Sequence, residues 1–412
     1  MEAADMATAA QQGDSPAIIR SRLVLNFPGF EATGPLAQLD RLRYGAGKTG
    51  GLWGFTYERL SAEIVDGSHH AIAESRAQGG NWQTRTRLVQ FSWSDVIEAY
   101  ESEPFPRGFL RNFPKFMAFF FDGTVARYYS ASKRYWGFTI FPLLLIGLFA
   151  ILAGLVVVRL IVPFVPALDH PFAILVLTLA GVFVLCRWPG KSAYLLLTVN
   201  DWGFARDMVN RVNPLIETRF REFAETVGDE IARSRDDEVV IAGHSFGTVW
   251  AVGALALALE RNPDLLKGRN AVFLALGSSL LKIALAPNAR FMRAWAARIM
   301  AVPGLLWHEI QTKDDLIAFY KADPFATLGL TDHAATLKID RVKYKEAMEA
   351  GRYRGMLTSP YRTHRQYILY QDRRVAFDYI LRLFGPLSAR DLALRPGMVE
   401  AIDRDGALAV AS

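Results

Sequence analysis

The sequence predicts an α/β fold, a mostly parallel sheet with helices on both faces, interrupted by a pair of membrane-spanning helices. Strand-like and helix-like segments alternate along most of the 412 residues, which is typical of parallel sheets. Two apolar runs lie close together in the middle of the chain, at 136–158 and 171–186. We therefore expect one sheet domain into which an apolar helical hairpin is inserted.

Six short segments predict strands, because they are rich in β-branched and aromatic residues and end at turn residues. These segments are 22–27, 55–64, 86–93, 237–242, 271–276 and 305–311. Apolar residues at helical spacing predict a surface helix over 214–233 and a closing helix over 366–384, which Gly385 and Pro386 would stop.

The same pattern divides the chain into five parts. We expect a flexible tail at 1–20, two halves of the sheet domain at 21–135 and 189–386, the hairpin at 136–188, and a loosely ordered tail at 387–412. The N-terminal segment has neither the basic region nor the apolar core of a secretory signal, so none is predicted.

The first apolar run is uncharged over 136–158, which is long enough to cross the roughly 30 Å hydrocarbon layer of a bilayer. The second run, 171–186, is short for a span, and whether it crosses fully stays open. Pro163, Pro166 and Pro171 break the helix between the runs and predict a turn. The alternative is a buried helix pair inside a soluble domain.

Charged and aromatic residues at the open ends of the hairpin predict its orientation. Lys133, Arg134 and Arg187 flank these ends, and Trp136 and Trp188 lie beside them as an interfacial aromatic belt would. Because positive residues stay in the cytoplasm, we expect both ends, and the sheet domain with them, on the cytoplasmic side of the inner membrane.

Composition bounds the partners and cofactors. The net charge of +6 is carried by dispersed residues, which favours contact with anionic membrane lipids over nucleic acid. Cys186 is the single cysteine, so no intrachain disulfide forms. Neither a metal nor an organic cofactor is predicted. The interleaved aromatic and basic residues of 105–129 have two open interpretations, a helix in the membrane interface or a core or lid contact.

The most informative motif is the pentapeptide 243–247, which reads Gly-His-Ser-Phe-Gly and follows a strand-like apolar run. A serine between two glycines at a strand-to-helix turn is typical of a nucleophile held in a strained backbone conformation. Ser245 is therefore the candidate nucleophile. His244 beside it is more typical of a packing residue than of a base.

An activated serine needs a histidine base and a carboxylate that orients the base, in the chain order Ser, acid, His. Asp314 and Asp315 follow the strand at 305–311, and spacing alone does not choose between them. Only His333 and His364 come later, and we favour His364 because it precedes the closing helix.

Two backbone N–H groups would bind the oxyanion. One belongs to Phe246, directly after the nucleophile. The other is expected from the turn after the first strand, where Phe30 follows Pro28 and Gly29.

With Ser245, a later acid and His364 in this order, the chain resembles the α/β-hydrolase superfamily, and more narrowly membrane-anchored bacterial hydrolases of uncertain substrate. The resemblance covers 21–386 apart from the hairpin. Beside 243–247, it has weaker support from 28–31, 315–319 and 364–367. It favours Asp315, which leads directly into an apolar run, over Asp314. Pro28 stands where the family commonly has the histidine of a His-Gly oxyanion turn.

Together these features predict a membrane-anchored serine hydrolase of carboxylesterase or lipase type that cleaves an ester or thioester. Its expected partners are a small-molecule or lipid substrate and membrane lipids, and the location favours an apolar or lipid-like acyl group. The alternative is a non-catalytic binding or scaffolding protein with the same fold. The sequence leaves the oligomeric state open.

Overall fold

A computed structural model of the chain describes residues 18–192 and 194–409. The strands in these residues are β1 Ser21–Phe27, β2 Thr56–Ile64, β3 His70–Gln78, β4 Gln83–Phe91, β5 Glu238–His244, β6 Ala271–Leu276, β7 Leu306–Thr312 and β8 Thr336–Val342. Within the described chain they form one eight-stranded sheet in the order β2-β3-β4-β1-β5-β6-β7-β8.

The sheet is mostly parallel, which confirms the coarse prediction. From β4 through β1, β5, β6 and β7 to β8, all neighbours pair in parallel, whereas β2, β3 and β4 form an antiparallel meander at one edge. All six predicted strands are present with small shifts of their ends. The sequence analysis missed β3 and β8, which are rich in charged and polar residues.

The helices cover the sheet and join its strands. In chain order they are α1 Pro35–Trp53, α2 Ser94–Glu101, α3 Phe105–Phe121, α4 Thr124–Ala131, α5 Lys133–Val156, α6 Pro171–Arg187, α7 Pro189–Ser192, α8 Leu195–Asn210, α9 Pro214–Arg233, α10 Phe246–Arg261, α11 Leu280–Ala284, α12 Arg290–Met300, α13 Pro324–Thr327, α14 Tyr344–Ala347, α15 Ala350–Met356, α16 Pro360–Arg365, α17 Tyr379–Phe384 and α18 Ala389–Leu394. Single turns of 3-10 helix lie at Val162–Phe164, Pro166–Leu168 and Gln366–Ile368, a longer one at Pro396–Ala401, and a π-helical turn at Val157–Ile161.

Two apolar cores lie on opposite faces of the sheet, as expected for a sheet covered on both sides. Successive residues of β1 point to different cores, with Leu23 and Leu25 in one and Val24 in the other. The first core contains α9 and α10, and the second contains α1 and α17. The predicted surface helix at 214–233 is present as α9 with the same bounds.

The apolar hairpin projects from the first core. α5 continues through the π and 3-10 turns to Phe164 and packs against α6, where a Cβ on Gly181 would lie 2.8 Å from Ala153 Cβ. Most of its apolar side chains are exposed; Leu144 and Ile151, for example, are 63% and 62% exposed. By length and composition, Lys133–Phe164 is the one helix of the described chain able to cross a membrane, and α6 is shorter.

The aromatic segment 105–129 forms α3 and most of α4. Phe116, Phe119 and Tyr128 are fully buried in the first core, whereas Leu110 and Phe121 are 73% and 85% exposed. The core interpretation therefore describes one face of α3. The opposite face exposes Leu110, Pro114 and Phe121 together with Arg107.

Two expectations about the C-terminal region are wrong. Instead of one helix over 366–384, a 3-10 turn at Gln366–Ile368 is followed by irregular chain, and α17 begins only after Asp378, whose carboxylate caps it. Residues 387–409 do not form a loose tail, because Leu387 and Leu392 are fully buried and Ile18 pairs with Leu387. Residues 1–17 and 410–412 of the two predicted tails lie outside the described residues.

Candidate active site

The turn between β5 and α10 holds Ser245 in a backbone conformation that side chains rarely adopt. Its φ is 56° and its ψ is −123°. The flanking glycines are required by space: a Cβ on Gly243 would lie 2.6 Å from the backbone of Thr248, and one on Gly247 would lie 2.0 Å from the carbonyl oxygen of Phe27. The turn thus places Ser245, in a strained conformation, at the carboxyl end of the parallel strands, where open α/β sheets bind their ligands.

Asp315 and His364 meet although they are 49 positions apart in the sequence. Nδ1 of His364 lies 2.7 Å from Oδ2 of Asp315, whose other oxygen accepts a hydrogen bond from the backbone N–H of Ile317 at 2.8 Å. Asp315 lies in the turn after β7 and is fully buried, and His364 is 6% exposed. A buried carboxylate at this distance keeps the proton on Nδ1 and leaves Nε2 as the acceptor.

The competing acid and base do not reach this pair. Oδ1 of Asp314 accepts a hydrogen bond from the hydroxyl of Tyr353 at 3.2 Å. The ring of His333 donates from Nδ1 to the carbonyl oxygen of Ala335 at 2.8 Å. The structure therefore brings together Asp315 and His364, and it leaves Asp314 and His333 in other contacts.

His364 lies in the last turn of the short helix α16, directly before the 3-10 turn at Gln366–Ile368. Ser359 caps the start of this helix, and its hydroxyl accepts a hydrogen bond from the N–H of Arg362 at 3.4 Å. His244 supports the other side, because its Nε2–H donates to the carbonyl oxygen of His364 at 2.9 Å. Burial, reinforced by the nearby His364, lowers the pKa of His244 well below its ordinary value, so that ring stays neutral and acts in packing.

Ser245 and His364 line the same cavity but are not hydrogen-bonded to each other. Oγ of Ser245 lies 3.3 Å from Oγ of Ser279, and Nε2 of His364 is buried with no hydrogen-bond partner in the described chain. Catalytic hydrogen bonds are often long or poorly aligned until substrate binds. To form a nucleophile–base pair, the hydroxyl of Ser245 would have to turn from Ser279 toward Nε2 of His364.

The two candidate oxyanion groups lie at the carboxyl ends of neighbouring parallel strands. β1 and β5 pair so that Phe27 is opposite Gly243, and the rings of Phe30 and Phe246 pack at 6.1 Å. Neither backbone N–H makes a hydrogen bond among the described residues. Gly29 permits this approach, because a Cβ there would lie 2.9 Å from Nδ1 of His244.

The cavity in front of Ser245 has a volume of about 330 Å³. Phe30 and Ser245 line it from the ends of β1 and β5, Tyr361 and His364 line it from α16, and Phe138 reaches it from α5. The base of the apolar hairpin therefore forms part of the wall of the candidate site.

No family model matches the chain, and no curated protein or solved structure is similar enough to count as a match. The case for a function therefore depends on the geometry of this site. Among the described residues, no cluster of three or more histidine, cysteine or acidic side chains could hold a metal ion.

Sequence reasoning missed three side chains of the site. Ser279 follows β6 at the carboxyl edge of the sheet, a position that could have singled it out. Asp201 lines the cavity from α8 and forms a buried ion pair with Lys282, whose ammonium lies 4.1 Å from the ring centre of Trp202. Burial raises the pKa of Asp201 and lowers that of Lys282, and their pairing opposes both shifts.

Proposed function

We propose that this protein is a serine hydrolase, of carboxylesterase or lipase type, which cleaves an ester or thioester with Ser245 as nucleophile. His364 is the base, Asp315 orients it, and the N–H groups of Phe30 and Phe246 bind the oxyanion. The observation that carries the proposal is the buried, unpartnered Nε2 of His364, which shares a cavity with the strained Ser245 while Asp315 holds Nδ1.

The reaction follows from the proton positions. Oγ of Ser245 attacks the substrate carbonyl carbon while its proton passes to Nε2 of His364, and the carbonyl oxygen becomes an oxyanion. When this intermediate collapses, the bond to the alcohol or thiol breaks and the leaving group takes the proton from Nε2. Water then repeats the sequence on the acyl-enzyme and releases the acid. Asp315 stabilises the imidazolium formed in each half.

Two features favour a reaction with an acyl compound over simple binding. The strained φ of Ser245 raises the free energy of the folded state, and binding alone does not require such strain. Strain of this kind is typical of active sites. The backbone N–H groups of Phe30 and Phe246 make no hydrogen bond among the described residues, so both are available to bind an oxyanion.

We also propose that the hairpin of α5 and α6 anchors the protein in the cytoplasmic membrane as a multi-pass segment, with the sheet domain on the cytoplasmic side. The exposed apolar surface of α5 supports insertion, because so many exposed leucine and isoleucine side chains are unfavourable in water. Basic residues stand at both open ends of the hairpin. A membrane location favours apolar or lipid-like acyl substrates.

Hydrolysis of p-nitrophenyl butyrate by the full-length protein in detergent tests the enzymatic proposal. We expect Ser245→Ala to abolish hydrolysis and Ser279→Ala, which removes the hydroxyl 3.3 Å away, to retain most of it. If Ser245→Ala stays active, Ser245 is not the nucleophile. If the wild-type protein cleaves no ester or thioester, a non-catalytic binding or scaffolding role replaces the proposal.

Cysteine labelling tests the membrane proposal. In a Cys186→Ser background, a cysteine at Asp169, in the turn between α5 and α6, should react with an impermeant maleimide added outside intact cells. A cysteine at Lys267, whose side chain is 78% exposed on the sheet domain, should react only after permeabilisation. Labelling of the Lys267 position in intact cells, or of neither position under any condition, would contradict the proposed orientation.

A further inference from the structure

A second cavity, with a volume of about 480 Å³, lies between the start of α3 and the end of α6. Phe105 and Pro104 line it from the α3 side, Cys186 and Arg187 from the α6 side, and Leu196 from α8. Most of the cavity surface is apolar. Its polar side chains are Glu101, Glu103, Tyr194, Asn200 and Arg187, and Glu103 is paired with Arg111 outside the cavity wall. The cavity therefore lies where the apolar hairpin joins the sheet domain.

This cavity adjoins the one that contains Ser245. Glu101, Tyr194 and Leu197 line both cavities, so they form the boundary between them. Two contacts join this boundary to α16, the helix that carries His364. The rings of Tyr194 and Tyr361 pack at 4.6 Å, and the hydroxyl of Tyr361 lies 2.8 Å from that of Thr198. Because three residues line both cavities, the second cavity lies directly beside the one in front of Ser245, on the side of the hairpin.

The outer end of the second cavity continues into the exposed apolar surface of the hairpin. The ring of Phe105 packs against Phe183 of α6 at 5.5 Å, and Phe183 is 44% exposed. An apolar chain that left the second cavity would therefore meet the surface of α6. It would not have to cross open water.

We infer that the second cavity holds the hydrocarbon chain of a long-chain ester, whose carbonyl group lies at Ser245 and whose chain extends toward the membrane between α3 and α6. This inference rests on the proposed function and names its substrate class, a long-chain lipid ester that enters from the side of the bilayer. The occupant is apolar because the wall is mostly apolar, and it is long because the two cavities must be bridged.

The physical consequence is a dependence of kcat/KM on chain length. Each methylene that moves from water into the apolar cavity improves binding by about fourfold. The gain should continue while added carbons still enter the second cavity and then level off. Short esters fill only the catalytic cavity and miss this gain.

The test measures the ratio of kcat/KM for dodecanoyl and butanoyl p-nitrophenyl esters, each kept below its micelle concentration, with the full-length protein in detergent. We expect a wild-type ratio above about 100. Leu196→Trp, which fills the second cavity, should lower the ratio at least tenfold. Leu196→Ala, which leaves the cavity open, should keep it within about threefold. Leu215→Trp, on the exposed side of α9, is the matched control and should leave it unchanged.

The outcomes separate the two proposals. A wild-type ratio near one, or a ratio that Leu196→Trp leaves unchanged, overturns the inference about the second cavity while ester cleavage itself stands. Failure to cleave esters of either length overturns the proposed function. Should Leu196→Trp fail to fold, the wild-type ratio and that of Leu196→Ala still decide the inference.

Discussion

The substitution Asp315→Asn should inactivate the protein with little loss of stability. An asparagine has the size of the aspartate, and its carbonyl oxygen can still accept from the N–H of Ile317, now 2.8 Å from Oδ1. Its amide group then faces Nδ1 of His364, where the carboxylate lies at 2.7 Å. Because an amide N–H donates, Nδ1 must become the acceptor and the proton moves to Nε2. That tautomer cannot take the proton of Ser245.

The expected loss is about 10⁴-fold in kcat, the size seen when the same change is made in a serine protease triad, and it equals about 5 kcal/mol of transition-state stabilisation. Full burial of Asp315 supports a loss of this size, because water cannot take the place of the lost acceptor behind the histidine. The rate of labelling by a fluorophosphonate and the hydrolysis of p-nitrophenyl butyrate measure the loss, and thermal unfolding measures stability.

The neighbouring residue offers a matched control. Asp314→Asn changes a carboxylate that accepts a hydrogen bond from the hydroxyl of Tyr353, which an amide oxygen can still do, so its rate should stay within about threefold of wild type. If Asp314→Asn abolishes labelling and Asp315→Asn does not, the assignment of the acid is wrong. Equal rates for both variants and the wild type would remove the carboxylate from the mechanism.

Three further substitutions test the surroundings of the site. Gly29→Ala places a Cβ 2.9 Å from Nδ1 of His244, so it should slow ester hydrolysis at least tenfold. Gly351→Ala, which has open space around it, is the control and should not slow it. Equal rates for the two variants would contradict the proposed close approach of the Gly29 turn to His244. Lys282→Met leaves the buried carboxylate of Asp201 unpaired and should lower the free energy of unfolding by about 3 kcal/mol. The double variant Asp201→Leu/Lys282→Met removes both charges and should recover most of this loss. If the effects of the two single substitutions simply add in the double variant, the pair is not coupled. Burial raises the pKa of Glu309 to about 8. Above about pH 4.5 the unfolded state therefore releases a proton that the folded state keeps, and the stability of the protein falls as the pH rises to 8. Glu309→Gln cannot ionise and should therefore be more stable than wild type at pH 8, by at most about 5 kcal/mol, and nearly equal to it at pH 4.5; a difference that does not vary with pH in thermal unfolding would refute this.

The sequence predicted those parts of the site that a short stretch of sequence indicates by itself. Glycines around Ser245 are needed by the turn itself, so the pentapeptide indicated the elbow directly. The order of the acid and the histidine along the chain narrowed both choices to two residues. By contrast, the contact between Asp201 and Lys282 depends on how α8 packs after the hairpin, and no local pattern indicates it.

The errors in the C-terminal region have a similar cause. The predicted closing helix gives way to irregular chain because Asp378 caps a new helix and the guanidinium of Arg374 donates to the backbone carbonyls of Leu52 and Ile402. The last segment is folded because of a buried ion pair on the sheet. Arg22, paired with Glu238 at 2.7 Å, donates to the carbonyl oxygen of Leu387. These partners are far apart in the sequence, and the helix propensities of single residues do not indicate contacts between such distant residues.

Mass-spectrometric mapping of a fluorophosphonate adduct tests the central claim most directly, because it identifies the nucleophile by its covalent bond. The full-length protein in its native membrane is treated with the probe, digested, and compared with Ser245→Ala and Ser279→Ala. We expect one adduct, on Ser245, which is absent from Ser245→Ala and retained in Ser279→Ala. An adduct on Ser279 or another residue, or none on protein that hydrolyses esters, would contradict the proposed mechanism.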